Sequence, residues 1–246
     1  MTTPIDDVLD DVRAEYAQLE SILDSLTSSQ WEAPSMAPGW SVADTVLHLA
    51  LTEELVVVSL ERRDGGWTTR DRPLDEVVDG HVRENSAPAP EIFGRWRAAC
   101  RASLDALAAA DPDRAVTWAA APLKPRTLAT TRLAEHWAHG LDITEALGIA
   151  NHDTDRLRHI AWLGHATLPY AMRLADLEPV AVCCTLTAPS GAVFTYGPSD
   201  ATATISGEMG TFCRVGARRL PASESELATS GPDADAALAV LRNYAA

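Results

Sequence analysis

Apolar residues recur every three or four positions through the first two thirds of the chain. Between Ile5 and Leu26 this spacing places the apolar side chains on one face of a helix. The same spacing predicts five further helices, at about residues 41–62, 73–85, 91–110, 127–147 and 153–177. The first two thirds of the chain is therefore predicted to be an antiparallel helical bundle, in which each helix buries its apolar face against its neighbours.

Two of these helices have specific end signals. Ser41 is predicted to be an N-cap, with Asp44 at the position that completes a capping box. Gly148 follows the fifth helix and is predicted to be its C-cap. Prolines and glycines predict loops at residues 33–40 and 62–71.

The pattern changes after residue 177. Alternating, β-branched segments predict strands at residues 180–187, 192–196 and 201–206, and helical spacing returns at residues 210–219 and 234–244. The predicted fold class is α+β, mainly α. It consists of a helical bundle at residues 1–177 followed by a small α+β C-terminal domain at residues 178–246.

Composition and charge exclude some partners. The chain has 246 residues and a formal net charge of −15, which argues against binding to nucleic acid or to anionic membranes. No apolar run approaches the length of a membrane span. The start of the chain is polar and acidic, and the four cysteines form no CxxC pair. We therefore expect a cytoplasmic protein with reduced thiols that acts on a small molecule, as a monomer or a homodimer.

One pair of residues carries the candidate chemistry. Glu135 and His139 are four residues apart in a predicted helix, so their side chains lie side by side, and Asp142 follows on the same face. His48 lies in the predicted helix at 41–62. If the two helices face each other, His48, Glu135 and His139 supply three ligands to a divalent cation. Three protein ligands leave coordination positions open, as in catalytic rather than structural metal sites.

Simpler interpretations of these residues exist. His48 lies in an apolar stretch and could be a core histidine with one hydrogen bond. Glu135 and His139 could form a surface pair, which stabilises a helix by only a few tenths of a kcal/mol. However, the helix around them is apolar on much of its circumference. A buried glutamate is costly unless it is paired or bound to a cation.

Two segments resemble a known family. Residues 39–50, with the sequence GWSVADTVLHLA, are similar to the first metal-ligand helix of the DinB-like superfamily. More narrowly, they resemble the N-terminal domain of mycothiol-dependent maleylpyruvate isomerases. Residues 135–142, EHWAHGLD, resemble the second ligand motif of that family. Near residues 177–179, 186–191 and 231–235 the chain resembles an actinobacterial subgroup of metal-binding proteins.

The resemblance implies a DinB-like fold, with His48, Glu135 and His139 as the metal ligands. The default cation is Zn²⁺, although two histidines and a carboxylate also suit Ni²⁺ or Fe²⁺. Mycothiol is an implied cofactor. The implied activity is that of a metal-dependent isomerase or thiol transferase acting on a small unsaturated acidic metabolite. Two alternatives stay open: a thiol-independent lyase, cyclase or hydrolase of the same fold, and a non-catalytic small-molecule carrier.

Further residues near the motif are candidates for the site. Arg132 lies one turn before Glu135 and could support the site or neutralise a substrate carboxylate. His136 could be an active-site acid or a surface residue, and Asp142 could orient a ligand. Glu53 and Glu54 could act as a base near His48, but a solvated acidic face is the favoured interpretation of both. The arginines that could bind an acidic substrate are otherwise Arg95, Arg97, Arg101, Arg214, Arg218 and Arg219.

Overall fold

A computed structural model describes residues 5–61, 73–118 and 121–243 of the chain. The predicted loop at residues 62–71 lies outside these residues. The chain divides into two compact units, Met1–Asn151 and His152–Ala245.

The described part of the first unit is built of helices. They are α1 (Ile5–Asp24), α2 (Ser28–Glu32), α3 (Val42–Leu60), α4 (Leu74–Glu84), α5 (Ala89–Ala109) and α6 (Pro125–Leu147). Helix α3 packs along α5, and α1 packs against both α5 and α6. Helix α6 also contacts α3, so the two helices that carry the candidate ligands are neighbours.

Helices α3 and α6 begin and end where the sequence signals predict. The Asp44 backbone N–H donates to the Ser41 hydroxyl over 3.1 Å, and the Ser41 N–H donates to the Asp44 carboxylate over 2.9 Å. This confirms the predicted capping box. Gly148 has φ of 65° and ends α6 in the left-handed conformation, which confirms the predicted C-cap. The short helix α2 was not predicted, and it begins with a second capping box formed by Thr27 and Gln30.

The core of the first unit follows from the spacing of residues along α3. Five side chains three or four residues apart are fully buried along one stripe of this helix, and four of them are apolar: Val42, Val46, Leu49, Glu53 and Val56. The fifth, Glu53, is a carboxylate that faces the core. On α6, Arg132 and His136 are 3 % and 0 % exposed. The bundle therefore contains charged and polar side chains at positions that its helical periodicity directs inward.

The second unit combines three helices with a mixed sheet. Its elements are α7 (Leu157–Leu174), β1 (Val182–Thr187), β2 (Val193–Tyr196), β3 (Ala203–Glu208), α8 (Met209–Gly216), β4 (Ala228–Ser230) and α9 (Ala234–Val240). The strand order is β2-β1-β3-β4, in which β1 and β3 are parallel and the other pairs are antiparallel. Residues of β1 alternate so that Val182, Cys184 and Leu186 are buried, while α8 contacts both central strands.

These elements confirm the predicted fold class, a mainly helical bundle followed by a small α+β part. Helix α7 belongs by its contacts to the second unit, so the compact units divide between Asn151 and His152. The domain bounds predicted at residues 1–177 and 178–246 stay a prediction.

The four cysteines are buried free thiols. Among the described residues, no helix combines the length and the apolar character that crossing a membrane requires.

Candidate metal centre

Helices α3 and α6 bring three potential ligands together. His48 comes from α3, and Glu135 and His139 come from α6. Each offers one ligand atom, and the three atoms all lie within 4.8 Å of one another. His48 Nε2 is 3.5 Å from Glu135 Oε2, and His139 Nε2 is 3.7 Å from the same oxygen. Among the described residues this is the one such group of three or more histidine, cysteine or acidic side chains.

The cluster is buried on one side and open on the other. The side chain of His48 is 9 % exposed and that of His139 is 14 % exposed, whereas that of Glu135 is 29 % exposed. The imidazoles are therefore fixed by packing while the carboxylate borders solvent. A small molecule could reach the centre from the side of Glu135.

Asp142 orients one of the ligands. His139 Nδ1 is 2.9 Å from Asp142 Oδ2, and the Asp142 side chain is only 2 % exposed. Because the carboxylate can only accept, Nδ1–H donates to it, and the lone pair of His139 stays on Nε2. That nitrogen is the one that faces Glu135. A carboxylate behind a histidine ligand fixes the ring and raises its basicity, as in many metal sites.

The charge states of the cluster suit a cation. Burial lowers the pKa of His48, only partly opposed by its contact with Glu135. Burial alone would raise the pKa of Glu135, but the hydrogen bond with His48 and the charge of Arg132 outweigh it and hold that pKa well below its ordinary value. The imidazole is then neutral and the carboxylate is ionised, which are the states that bind metals.

The second ring nitrogen of His48, Nδ1, is buried and makes no hydrogen bond to any residue that the structure describes. The donor set, two imidazole nitrogens and one carboxylate oxygen, matches the ligands of Zn²⁺ and of Ni²⁺ or Fe²⁺. The residues therefore fit a divalent cation.

Trp40 forms an aromatic wall beside both histidines. Its ring centroid is 5.1 Å from that of His48 and 6.3 Å from that of His139. The indole Nε1–H donates to Asp79 Oδ1 of α4 over 3.1 Å, which fixes the ring. Trp40 itself is half-buried and lies just before Ser41, the N-cap of α3.

We predict that Asp142→Asn weakens the binding of Zn²⁺ by about 10- to 100-fold, because the amide no longer provides the charge behind His139. A competition titration against a chromogenic chelator measures the affinity. Asp113→Asn is the matched control, since Asp113 is exposed and pairs with Lys124. Equal affinities in Asp142→Asn and in the control would show that Asp142 does not support the ligand.

Two predicted site residues lie behind the cluster rather than in it. Arg132 has a side chain that is 4 % exposed, with its Nη1 3.9 Å from Glu53 Oε1 and its guanidinium over the ring of Trp118. His136 is fully buried, so the interpretation as a surface residue is wrong. The catalytic roles predicted for Arg132 and His136 stay predictions.

The surroundings of His136 define its tautomer. The Trp96 Nε1–H donates to His136 Nε2 over 3.1 Å, so Nδ1 carries the ring proton and donates to the backbone carbonyl of Arg132 over 3.0 Å. Burial, aided by the charge of Arg132, lowers the pKa of His136 to about 3. The imidazole is therefore neutral and has both nitrogens engaged.

Glu53 is the residue that sequence reasoning missed. The favoured interpretation was a solvated acidic face for both Glu53 and Glu54, and it is wrong for Glu53, which is 0 % exposed. Glu54 is partly exposed and pairs with Arg95 through two hydrogen bonds of 2.7 and 2.8 Å. The signal for Glu53 was its place in the apolar stripe of α3, at the same spacing as its buried neighbours.

Several arginines considered for an acidic substrate have acidic partners in the protein. Arg97 pairs with Glu20 and Asp24 in the first unit. Arg214 pairs with Asp153 in the second unit over 2.5 Å. These contacts occupy both guanidinium groups.

Most of the first unit matches a known protein family. Residues 12–144 match the family model described as "Mycothiol maleylpyruvate isomerase N-terminal domain". The matched segment contains His48, Glu135 and His139, and it spans more than half of the chain.

Relatives and solved structures cover nearly the whole chain. Two Mycobacterium tuberculosis proteins, "Uncharacterized protein Rv0036c" of strain ATCC 25618 / H37Rv and "Uncharacterized protein MT0041" of strain CDC 1551 / Oshkosh, are each 32 % identical over 241 residues, covering 96 % of this chain and 94 % of theirs. The crystal structure of a mycothiol-dependent maleylpyruvate isomerase aligns with a TM-score of 0.62 at 16 % identity, over 94 % of this chain and 96 % of that chain. A mutant of such an isomerase aligns with a TM-score of 0.60 at 15 % identity, over 88 % and 92 %. These structures share the fold.

Proposed function

The chain belongs to the mycothiol maleylpyruvate isomerase N-terminal domain family, and from that premise we propose that it is a metal-dependent enzyme. In this proposal His48, Glu135 and His139 hold one divalent cation. The observation that carries the proposal is the convergence of their three ligand atoms within 4.8 Å. Two separate helices supply them, so the cluster arises from the packing of the bundle and not from local sequence alone.

A cation held there would supply Lewis acidity, which lowers the pKa of a thiol or a water molecule bound beside the ligands. The side chains of this protein do the rest. Asp142 keeps the proton of His139 on Nδ1 and leaves Nε2 free to bind. Glu135 contributes negative charge, and its 29 % exposed side chain borders the approach from solvent. Trp40, fixed by Asp79, covers the imidazoles and limits the access of water to them.

The substrate class that we propose is a small unsaturated acidic metabolite, and the reaction is its isomerisation or the transfer of a thiol group with mycothiol as the cofactor. The support for mycothiol is the description of the family and the fold shared with mycothiol-dependent isomerases. Zn²⁺ is the cation proposed first, because two histidines and one carboxylate form a common catalytic zinc site. Four buried free thiols are consistent with a reducing compartment, and we propose the cytoplasm.

We predict that mycothiol binds the Zn²⁺-loaded protein and not the chelator-stripped protein. The reason is that a thiolate is a strong ligand of Zn²⁺, so removal of the cation removes the group to which the thiol would bind. Isothermal titration calorimetry with mycothiol, performed with and without Zn²⁺, measures this difference. His139→Ala, prepared in the same way, is the control that removes one ligand.

The outcomes separate the parts of the proposal. Binding of mycothiol that depends on Zn²⁺ and is lost in His139→Ala supports the whole. Uptake of Zn²⁺ without any binding of mycothiol removes the thiol from the proposal and favours a lyase, cyclase or hydrolase that uses water. Failure to bind Zn²⁺, Ni²⁺ or Fe²⁺ contradicts the metal-dependent enzyme and favours a small-molecule carrier.

A further inference from the structure

A second polar cluster lies in the bundle behind the candidate metal centre. Glu53 of α3 faces Arg132 and His136 of α6, with Glu53 Oε1 3.9 Å from Arg132 Nη1 and 3.6 Å from His136 Nδ1. The side chains of Glu53 and His136 are 0 % exposed and that of Arg132 is 4 % exposed. The same two helices therefore carry both the ligands and this buried cluster.

The cluster has no simple structural explanation. Neither carboxylate oxygen of Glu53 makes a hydrogen bond of good geometry with a described residue, and neither does Arg132 Nη1. Burial raises the pKa of Glu53, and the charge of Arg132 and the nearby hydroxyls of Ser103 and Tyr16 oppose this rise only in part. Burying a charge in this way is costly, and a buried ion pair is often no more stable than an apolar pair of the same volume. Stability alone therefore does not account for this cluster.

Charge accounts for the pairing of Glu53 with Arg132. A guanidinium stays protonated even when it is buried, so Arg132 needs a counter-ion. The charge of Arg132 acts on both Glu53 and Glu135. It partly opposes the rise that burial causes in the pKa of Glu53, and together with the hydrogen bond from His48 it holds the pKa of Glu135 below its ordinary value. His136 cannot replace either, because its two nitrogens are engaged and it is neutral. Arg132 is thus shared between a buried carboxylate and a metal ligand.

We propose that Glu53 is a positioning residue for the metal centre. The carboxylate of Glu53 neutralises Arg132, so that the guanidinium neither draws Glu135 away from a cation nor repels that cation. This inference rests on the proposed metal centre. Arg132 lies one turn before Glu135 on α6, so without Glu53 its charge is left to act on the ligand Glu135. In the low-dielectric interior an uncompensated charge acts over several ångströms, and solvent screens it little.

The experiment is a double-mutant cycle on the affinity for Zn²⁺, measured by competition with a chelator. The variants are Glu53→Gln, Arg132→Gln and the combination of the two. Glu53→Gln should lose about tenfold or more in affinity, while Arg132→Gln should bind at least as tightly as the wild type, and the double variant should be within about threefold of it. Glu54→Gln is the matched control, since Glu54 is next in sequence and pairs with Arg95 instead.

A purely structural role of Glu53 gives a different result. It would lower the melting temperature of the metal-free protein, measured by circular dichroism, without the rescue of Zn²⁺ affinity in the double variant. If Glu53→Gln and the wild type bind Zn²⁺ equally, the inference is wrong although the metal centre stands. If the wild type itself does not bind the metal, the proposed function fails. If Glu53→Gln does not fold, the other two variants still test the inference. A loss of about tenfold or more in the Zn²⁺ affinity of Arg132→Gln or of the double variant overturns it. Near wild-type Zn²⁺ affinity in both variants supports it.

Discussion

Replacement of both His48 and His139 by alanine is expected to abolish the binding of divalent cations. The wild type, purified without chelator, should contain about one Zn²⁺, Ni²⁺ or Fe²⁺ per chain, and the double variant should contain less than about 0.1. The physical reason is that Glu135 would be left as a single carboxylate, and one ligand does not compensate for the hydration that a cation loses. Elemental analysis by mass spectrometry measures the content directly.

The control for this experiment is a histidine of the same unit outside the cluster. His81 lies on α4 and is not among the three converging ligands, so His81→Ala should retain the metal. Circular dichroism must show that the variants keep the helical content of the wild type. Equal metal content in the wild type and in the His48→Ala, His139→Ala variant would disprove the candidate metal centre, whatever the fold of the chain.

Periodicity alone predicted most of the fold. Helix α6 was expected at residues 127–147 and is found at Pro125–Leu147, because its apolar spacing is long enough to define both its existence and its end at Gly148. Helix α2, with five residues, and strand β4, with three, were missed. Elements this short do not contain enough residues to show a hydrophobic period. A capping box stabilises α2, and pairing with β3 stabilises β4.

The candidate site was predictable only in part. The i,i+4 spacing placed Glu135 beside His139 from sequence, because that relation is a property of any helix. The meeting of His48 with this pair depends on how α3 packs on α6, which no local pattern determines, and the resemblance to a known family supplied that expectation. The structure places the three ligand atoms within 4.8 Å of one another.

The buried polar cluster was within reach of the sequence but was misinterpreted. Glu53 continues the spacing of Val46, Leu49 and Val56, all of them 0 % exposed. A charged residue on an apolar stripe is usually taken as an interruption of that stripe. Here α6 supplies Arg132 and His136 at matching depth, so the stripe stays buried and its charge is paired. A buried ion pair could be predicted only by noting that α3 and α6 each carry a charged residue of opposite sign on the inward face; neither helix indicates it alone.

Truncation of Trp96 is expected to have the largest effect on stability. Trp96 is 1 % exposed, stacks on Phe93, meets Tyr16 edge to face and donates to His136. Trp96→Ala should lower the free energy of unfolding by about 3–5 kcal/mol, because it removes a large buried ring and leaves a cavity. For a chain of this size that corresponds to a fall in melting temperature of roughly 6–20 °C. Urea unfolding followed by circular dichroism measures it.

Trp96→Phe separates the two contributions of this residue. It keeps much of the apolar volume but removes the indole donor, so buried His136 Nε2 keeps only its 3.8 Å contact with the Cys100 thiol, a weak donor, at a cost of about 1–3 kcal/mol. Tyr170→Ala in the second unit is the control, since its aromatic side chain is 37 % exposed and its loss should change stability little. A Trp96→Phe variant as stable as the wild type would mean that the indole does not hold the His136 tautomer. The tautomer would then be held by the backbone carbonyl of Arg132, which accepts from Nδ1, and by the Cys100 thiol 3.8 Å from Nε2.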